Sequence, residues 1–298
     1  MTFKLAHLSD LHFFTRLKPQ LFLDKRLLGF ANLMLRRKNR HDSAVLLKLM
    51  KDLGRRNPDH IAVTGDLVNL GLEGEFLEIM QEFERHGLLP EKTSIIPGNH
   101  DRYVKSAVGS LEGIFSQWFA PGTGPESYPY VEEFDDIVLV GLSSALPRSI
   151  FRSAGFVGAK QLEKLRGILS SDSFQDRPAV VLCHHPPFRY SSALKHAEAG
   201  LDDYASLQAV CGLHPDCIVL HGHKHEYVFN EYSARNRGSA FVSIGVPSAS
   251  MKSPDENRQA AYHLYEFEKG RAVSASRYRV DPYSMEIVCE NLPCPWPA

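Results

Sequence analysis

Six short runs of apolar and β-branched residues recur along the first 223 positions of this chain, and most of them stop at Gly, Asp, Asn or His. They are FKLAHLSD (3–10), HIAVTGD (60–66), TSIIPGN (93–99), DIVLVGL (136–142), AVVLCHH (179–185) and CIVLHGH (217–223). Runs of this length with aliphatic enrichment read as strands buried on both faces. Segments of helical period lie between them, near 42–56, 73–86, 106–118, 159–170 and 202–212, with Ser43, Ser106 and Gly158 close to their starts. Strand and helix in alternation predict an α/β sheet. After residue 226 or 227 the pattern changes: SAFVSIGVPSAS, AYHLYEFEKG and AVSASRYRVD read as consecutive strands, which suggests a second, largely antiparallel sheet. No repeat or linker divides the 298 residues, so the expectation is one domain, 1–298, of two packed sheets covered by helices.

The run ends carry the chemistry. Five of the six finish in residues able to bind a metal: Asp10 and His12, Asp66, Asn99 and His100, His184 and His185, and His221, His223 and His225. In an open α/β sheet, ligands gather outside the carboxyl ends of the strands, so five loops would deliver these groups to one rim. Each cluster alone has a plainer account. Asp10, Asp66 and Asn99 suit turns, and His184 and His185 suit a buried pair before Pro186 and Pro187. Five clusters in order, each at a strand end, outweigh those accounts. DIVLVGLSS lacks such an ending, which suits an edge or structural strand.

The order D-x-H, G-D, G-N-H-D, H-x-P, G-H-x-H resembles that of the calcineurin-like metallophosphoesterases. It stands here as Asp10-Leu11-His12, Gly65-Asp66, Gly98-Asn99-His100-Asp101, His184-His185-Pro186 and Gly222-His223-Lys224-His225. The resemblance spans roughly residues 3 to 250 and implies a central β-sandwich flanked by helices, that is, a four-layer α-β-β-α sandwich of two mixed sheets. It implies that Asp10, His12, Asp66 and His225 hold one divalent metal. Asp66, Asn99, His184 and His223 would hold a second, with Asp66 bridging. By the same resemblance His100 assists the leaving oxygen, and Asp101 orients His100 through its other ring nitrogen.

Mixed oxygen and imidazole donors suit Mn, Fe or Zn better than Ca. Two divalent ions with two Asp and a bridging hydroxide leave one positive charge, which attracts a phosphoester anion and keeps the nucleophile deprotonated. The expected function is hydrolysis of small phosphoesters, more specifically phosphodiesters of cyclic-nucleotide or lipid-precursor type. A phosphomonoesterase, or a silent metal-binding scaffold at a membrane surface, is the alternative. Arg102, Tyr103, Asn69, Lys224 and His185 are further candidates to touch substrate.

Residues 13–40 depart from the family's compact pattern. They hold eight Lys/Arg and one Asp, against a net charge of −1 for the whole chain. At 100° per residue, Lys25, Arg26, Arg36, Arg37 and Arg40 share one face, and Leu23, Leu27, Leu28, Met34 and Leu35 the other, with Lys38 out of place among the leucines. Such a basic amphipathic insertion caps the site or, through residues 17–40, touches an anionic membrane; a lipid-like substrate would explain both its grease and its charge. The overall charge balance gives no reason to expect a nucleic-acid polymer as partner. Five cysteines without a CxxC pair favour a reducing cytoplasm, although Cys289 and Cys294 could pair. No signal-peptide pattern opens the sequence and no run is long enough to span a bilayer.

Overall fold

The computed structural model describes residues 2–14, 26, 40–149, 152–233 and 240–295. Its elements in chain order are β1 (Phe3–Leu8), α1 (Ser43–Arg56), β2 (His60–Val63), α2 (Glu73–His86), β3 (Thr93–Ile95), α3 (Ser110–Ile114), β4 (Tyr130–Glu133), β5 (Val138–Gly141) and α4 (Ala159–Leu169). There follow β6 (Ala179–Leu182), α5 (Ala193–Ala199), α6 (Tyr204–Cys211), β7 (Cys217–His221), β8 (Val228–Ser233), β9 (Ala240–Gly245), β10 (Ala261–Glu268), β11 (Arg271–Val280) and β12 (Ile287–Asn291). They build two six-stranded sheets, ordered β12-β11-β10-β1-β2-β3 and β4-β5-β6-β7-β9-β8. Both are mixed: β1, β2 and β3 run parallel, as do β5, β6, β7 and β9, while β10, β11 and β12 at one edge, and β4 and β8 at the two edges of the other sheet, are antiparallel.

Period-two alternation assigns each strand two apolar jobs. Leu5, Ala62, Leu139, Val180, Leu182, Ile218, Leu220, Val242 and Ile244 point inward and fill the space between the sheets. Ala6, Leu8, Ile61 and Val63 point outward and pack under the α1 and α2 residues Val45, Leu46, Leu49, Phe76, Ile79 and Phe83. On the other sheet Val138, Val140, Val181 and Val219 lie against Leu162, Leu165 and Leu169 of α4 and Leu207 and Val210 of α6. The outcome is the expected four-layer α-β-β-α sandwich.

Several expectations are corrected. The strands after residue 226 form no sheet of their own. β9 joins the second sheet parallel to β7, and β10 to β12 extend the first sheet from β1. Pairing partners so distant in sequence leave no local mark in either strand. β5 is not an edge, because β4 covers it; its continuation instead carries Ser144, whose hydroxyl meets His185 Nδ1 at 2.8 Å. The helix expected over 106–118 is broken into turns at Lys105–Ala107, Ser110–Ile114 and Ser116–Trp118, since Gly109 takes φ 88° at the first break. Cys289 and Cys294 are unpaired, and Cys183 is buried in the core below α4 and α6. The amphipathic pattern assigned to 13–40 lies outside the described residues apart from 13, 14, 26 and 40. Of these, Arg26 donates to the carbonyls of Leu70 (3.1 Å) and Gly71 (3.0 Å). Among the described residues no helix is long and apolar enough to cross a membrane.

Just past the third motif, Arg102 is turned away from the strand-end rim and buried against Glu112 at 2.6 Å, and the Tyr128 hydroxyl donates to the same carboxylate oxygen at 3.0 Å. Removing one member of a buried ion pair strands the other charge, at about 3–5 kcal/mol. Glu112→Ala is therefore expected to lower the unfolding free energy by about that much in urea titrations, and the double change Arg102→Met with Glu112→Leu to recover most of it. A single variant within about 1 kcal/mol of wild type would show that the pair is not holding this turn.

Candidate metal centre

β1, β2 and β3 present their carboxyl ends beside those of β6 and β7. Asp10 and His12 follow β1, Asp66 follows β2 and Asn99 follows β3, all from the first sheet. His184 follows β6, and His223 and His225 follow β7, from the second. The cluster thus straddles the gap between the sheets.

The backbone is bent hard to aim these groups. Eight non-glycine residues among those described have positive φ, and five of them are Asp10 (52°), His12 (42°), Asp66 (55°), His223 (68°) and His225 (53°). Such conformations each cost of order 1 kcal/mol or more and persist where the surroundings over-determine them. The motif glycines make the approach possible. A Cβ on Gly98 would collide with Asp66 Oδ1 and its backbone nitrogen, and one on Gly222 with Ser9 Oγ and Asp10 Oδ2. Amide donors then fix the carboxylates: His100 N donates to Asp66 Oδ1 at 2.7 Å and His223 N to Asp10 Oδ2 at 2.8 Å.

This leaves one oxygen of each carboxylate facing imidazoles. Asp10 Oδ1 stands 3.0 Å from His225 Nε2 and 3.9 Å from His12 Nε2, and those two nitrogens are 3.1 Å apart. Asp66 Oδ2 lies 3.8 Å from His12 Nε2 and 3.5 Å from His184 Nε2, which is itself 3.2 Å from Asn99 Oδ1. One carboxylate oxygen therefore sits between two groups of donors. Asp10 Oδ1 is fully buried without the geometry of a hydrogen bond to any described residue. A shielded anionic oxygen of this kind, ringed by imidazole nitrogens, is what a divalent cation satisfies. The donor clusters fit such ions, and Asp66 belongs to two of them.

The ring tautomers agree with that use. A carbonyl only accepts, so the 2.7 Å contact of His184 Nδ1 with Thr64 O puts the proton on Nδ1 and the lone pair on Nε2. His223 donates from Nε2 to Ala199 O at 2.9 Å, leaving its lone pair on Nδ1. His185, by contrast, spends both nitrogens within the protein, on Ser144 Oγ and on Ser153 O at 2.8 Å. Charge follows the same plan. Burial pushes the Asp66 carboxyl up, but the His184 and His100 rings outweigh it and hold it well below the usual range. Asp10 is likewise held at about 2, His225 and His184 overcoming its burial. For His184, burial alone would lower the pKa, yet Asp66 holds it at about 9, so a cation at this place competes with a proton for the same nitrogen.

His100 and Asp101 part from expectation. His100 Nδ1 donates to the Asn69 carbonyl at 2.6 Å, so a peptide oxygen takes the place expected for Asp101. Asp101 instead accepts from the amides of Leu67 (2.9 Å), Val68 (3.2 Å) and Gly98 (2.8 Å), joining the second and third motif loops. Burial, and then the nearby Asp66 charge, push its carboxyl up to about 8. Asn69 turns its amide to the His12 and Phe13 carbonyls. Lys224 is paired with Glu226 at 2.6 Å, and Tyr103 stacks on His100 at 5.7 Å. Reading the sequence missed His41, Ser248 and Ser250: Ser248 Oγ donates to Asp10 O at 2.6 Å, and His41 stands against His12 with ring centroids 4.7 Å apart. None belongs to a motif, and only a run of small residues after β9 marked the serines.

The wiring separates the two adjacent histidines by experiment. His184→Ala should weaken Mn binding by about tenfold or more, read by titration of metal-stripped protein. His185→Ala should change it by less than about threefold while costing about 1–3 kcal/mol for each buried partner left unbonded. The reverse order would make His185 the donor.

Known proteins resemble this chain over most of its length. The family model described as calcineurin-like phosphoesterase matches residues 3–227. Glycerophosphodiester phosphodiesterase GpdQ of Enterobacter lignolyticus (strain SCF1) is 25% identical over 234 residues, covering 76% of this chain and 73% of that protein. Among solved structures, a dimetal phosphatase from Danio rerio superposes with a TM-score of 0.65 at 13% identity, over 96% of this chain and 98% of that one. A purple acid phosphatase from yellow lupin seeds does so with a TM-score of 0.62 at 12% identity; 97% of this chain is covered, and it spans about half, 53%, of that longer chain. At such identities the structures bear on the fold, and the sequence match bears on the lineage: this chain belongs to the calcineurin-like phosphoesterase family.

Proposed function

We propose that the chain is a dinuclear metal-dependent phosphodiesterase. The observation that carries this reading is the position of Asp66 Oδ2 between His12 Nε2 and His184 Nε2, at 3.8 and 3.5 Å. In the proposal Asp10, His12, Asp66 and His225 hold one cation, and Asp66, Asn99, His184 and His223 the other, with Mn, Fe or Zn as the candidates for this donor chemistry. A bound pair would supply charge stabilisation at the phosphoryl oxygens and a nucleophile drawn from water at neutral pH.

The remaining work falls to the chain. Only Asp10 and Asp66 among the donors are anionic, and Asn99 is neutral, so the filled site keeps a positive surplus that draws in a phosphoester anion. The Asn69 carbonyl fixes the His100 proton on Nδ1. A proton handed to a leaving oxygen must then come from Nε2 of the imidazolium, a cation that the same carbonyl stabilises. Help for a poor leaving group is what an alkyl diester needs. The GpdQ relative, named for glycerophosphodiesters, supports a diester of that glycerol-based or lipid-precursor kind. The basic segment leaves at Phe13 and Phe14 and returns at Arg40 and His41, and Arg26 grips the loop next to Asn69. We assign it the choice of a substrate with an anionic head and an apolar body, or a membrane surface that presents one.

Turnover of bis(p-nitrophenyl) phosphate and of alkyl diesters with added Mn tests the reading. His100→Ala is expected to lose about 10²–10⁴-fold in kcat/KM on alkyl diesters and much less on the p-nitrophenyl ester, whose leaving group needs no proton. Equal losses on both would remove His100 as the acid. Turnover of monoesters alone would favour a phosphatase, and no metal-dependent turnover of either class a scaffold.

A further inference from the structure

We propose that His41 is an additional protein donor to the cation assigned to Asp10, His12, Asp66 and His225, an inference that rests on the metal reading above. His41 belongs to none of the recognised motifs. It is the first residue after the basic segment that departs at Phe13, so both ends of that segment stand at the same cation position.

Three observations carry the assignment. First, ligand atoms of His12, His41 and His225 all lie within 4.8 Å of one another. Their ring centroids are 4.7 Å (His12–His41), 4.9 Å (His12–His225) and 5.4 Å (His41–His225) apart. An imidazole bound through nitrogen at about 2.0–2.1 Å has its centroid roughly 3.2 Å from the ion, so two such rings at about 90–110° stand roughly 4.5–5.3 Å apart. The two spacings to His12 fall in that interval, and the His41–His225 spacing lies just above it.

Second, the His41 ring, like those of His184 and His223, is held through one nitrogen by the protein. One nitrogen, Nδ1, is tethered to Ser250 Oγ at 2.8 Å, with Ser248 Oγ at 3.4 Å, and we assign Nε2 as the donor. An oriented ring with one nitrogen held by the protein is the usual state of a metal-binding histidine.

Third, the mount is rigid and tied to the Asp10 loop. Asp42 N donates to Ser250 O and Lys252 N to Arg40 O, each at 2.8 Å, so the chain on either side of His41 is clamped to 250–252. His41 itself forms a bridge with Met251. The same segment is bonded to the end of β1 through Ala249 N to Ser9 O at 3.0 Å and Ser248 Oγ to Asp10 O at 2.6 Å. A donor held this way moves with Asp10, as a shared cation requires. The added imidazole makes the two cation positions unequal, the one on the His41 side the tighter.

Titration of metal-stripped protein with Mn, followed by electron paramagnetic resonance, tests the proposal. Wild type is expected to bind two ions with different affinities. His41→Ala should weaken the tighter one about tenfold or more while leaving the other within about threefold. His41→Phe, which keeps the bulk of the ring without a donor, should behave alike and retain the thermal midpoint of the metal-free protein. Loading with Co(II) should show a changed visible absorption in both variants, reporting a lost donor. Unaltered Mn affinities and an unaltered Co(II) spectrum in both variants would overturn the assignment, as would weakening confined to the looser ion. Wild-type protein that binds no Mn would instead bring down the metal reading on which the assignment stands.

Discussion

Two carboxylates, Asp10 and Asp66, are withdrawn from water at the mouth of the sandwich and turn one oxygen each toward the same imidazole, His12. Anions brought together in a low-dielectric setting repel, and burial opposes their ionisation. The rest of the site is a response to that problem. Amides of His100 and His223 take one oxygen of each carboxylate, and a ring of histidines surrounds the other. What the amides and rings do not neutralise is negative charge with the spacing and donor chemistry of a divalent ion. Left-handed backbone at five of the contributing residues is the conformational cost of holding the groups there.

The sheet architecture explains why the strain is tolerable. Parallel strands end on one side, and loops leaving several of them can converge without long excursions. The buried apolar faces behind the loops anchor each turn, so a residue at φ near 50° cannot relax without pulling on a strand. Asp101 shows the same logic one layer back. Its carboxyl group accepts from three amides of two motif loops, which locks the loop bearing Asn99 and His100 onto the loop bearing Asp66.

Much of this was legible in the residues. The strand runs, the four longer helices and the order of the five polar clusters follow from local pattern, because hydrophobic period and turn chemistry are local properties. The fate of β9 to β12 was not, since pairing between β1 and β10, which joins Phe3 to Phe267 and His7 to His263, is decided by which edge remains open once the core has formed. The partner of His100 was hidden for a different reason. A backbone carbonyl such as that of Asn69 has no residue-type signature, and the sequence points instead to the neighbouring Asp101. His41 was hidden because a histidine earns notice from its neighbours in sequence, while its own neighbours, His12, His225 and Ser250, are neighbours only in space.

Gly222 packs so closely on Ser9 and Asp10 that no side-chain atom fits between them. Since Asp10 belongs to one sheet and Gly222 to the other, the width of the crevice between the sheets is gauged at this point by bare backbone. The width further down is gauged by residues such as Leu5, Leu182, Leu220 and Tyr265. Enlarging one of those inner residues would act as a wedge, spreading the rim that carries the histidines while the outer helical layers stay in place. Such a protein would remain folded with its donors drawn apart, which makes the inter-sheet filling a hidden determinant of the active end of the molecule.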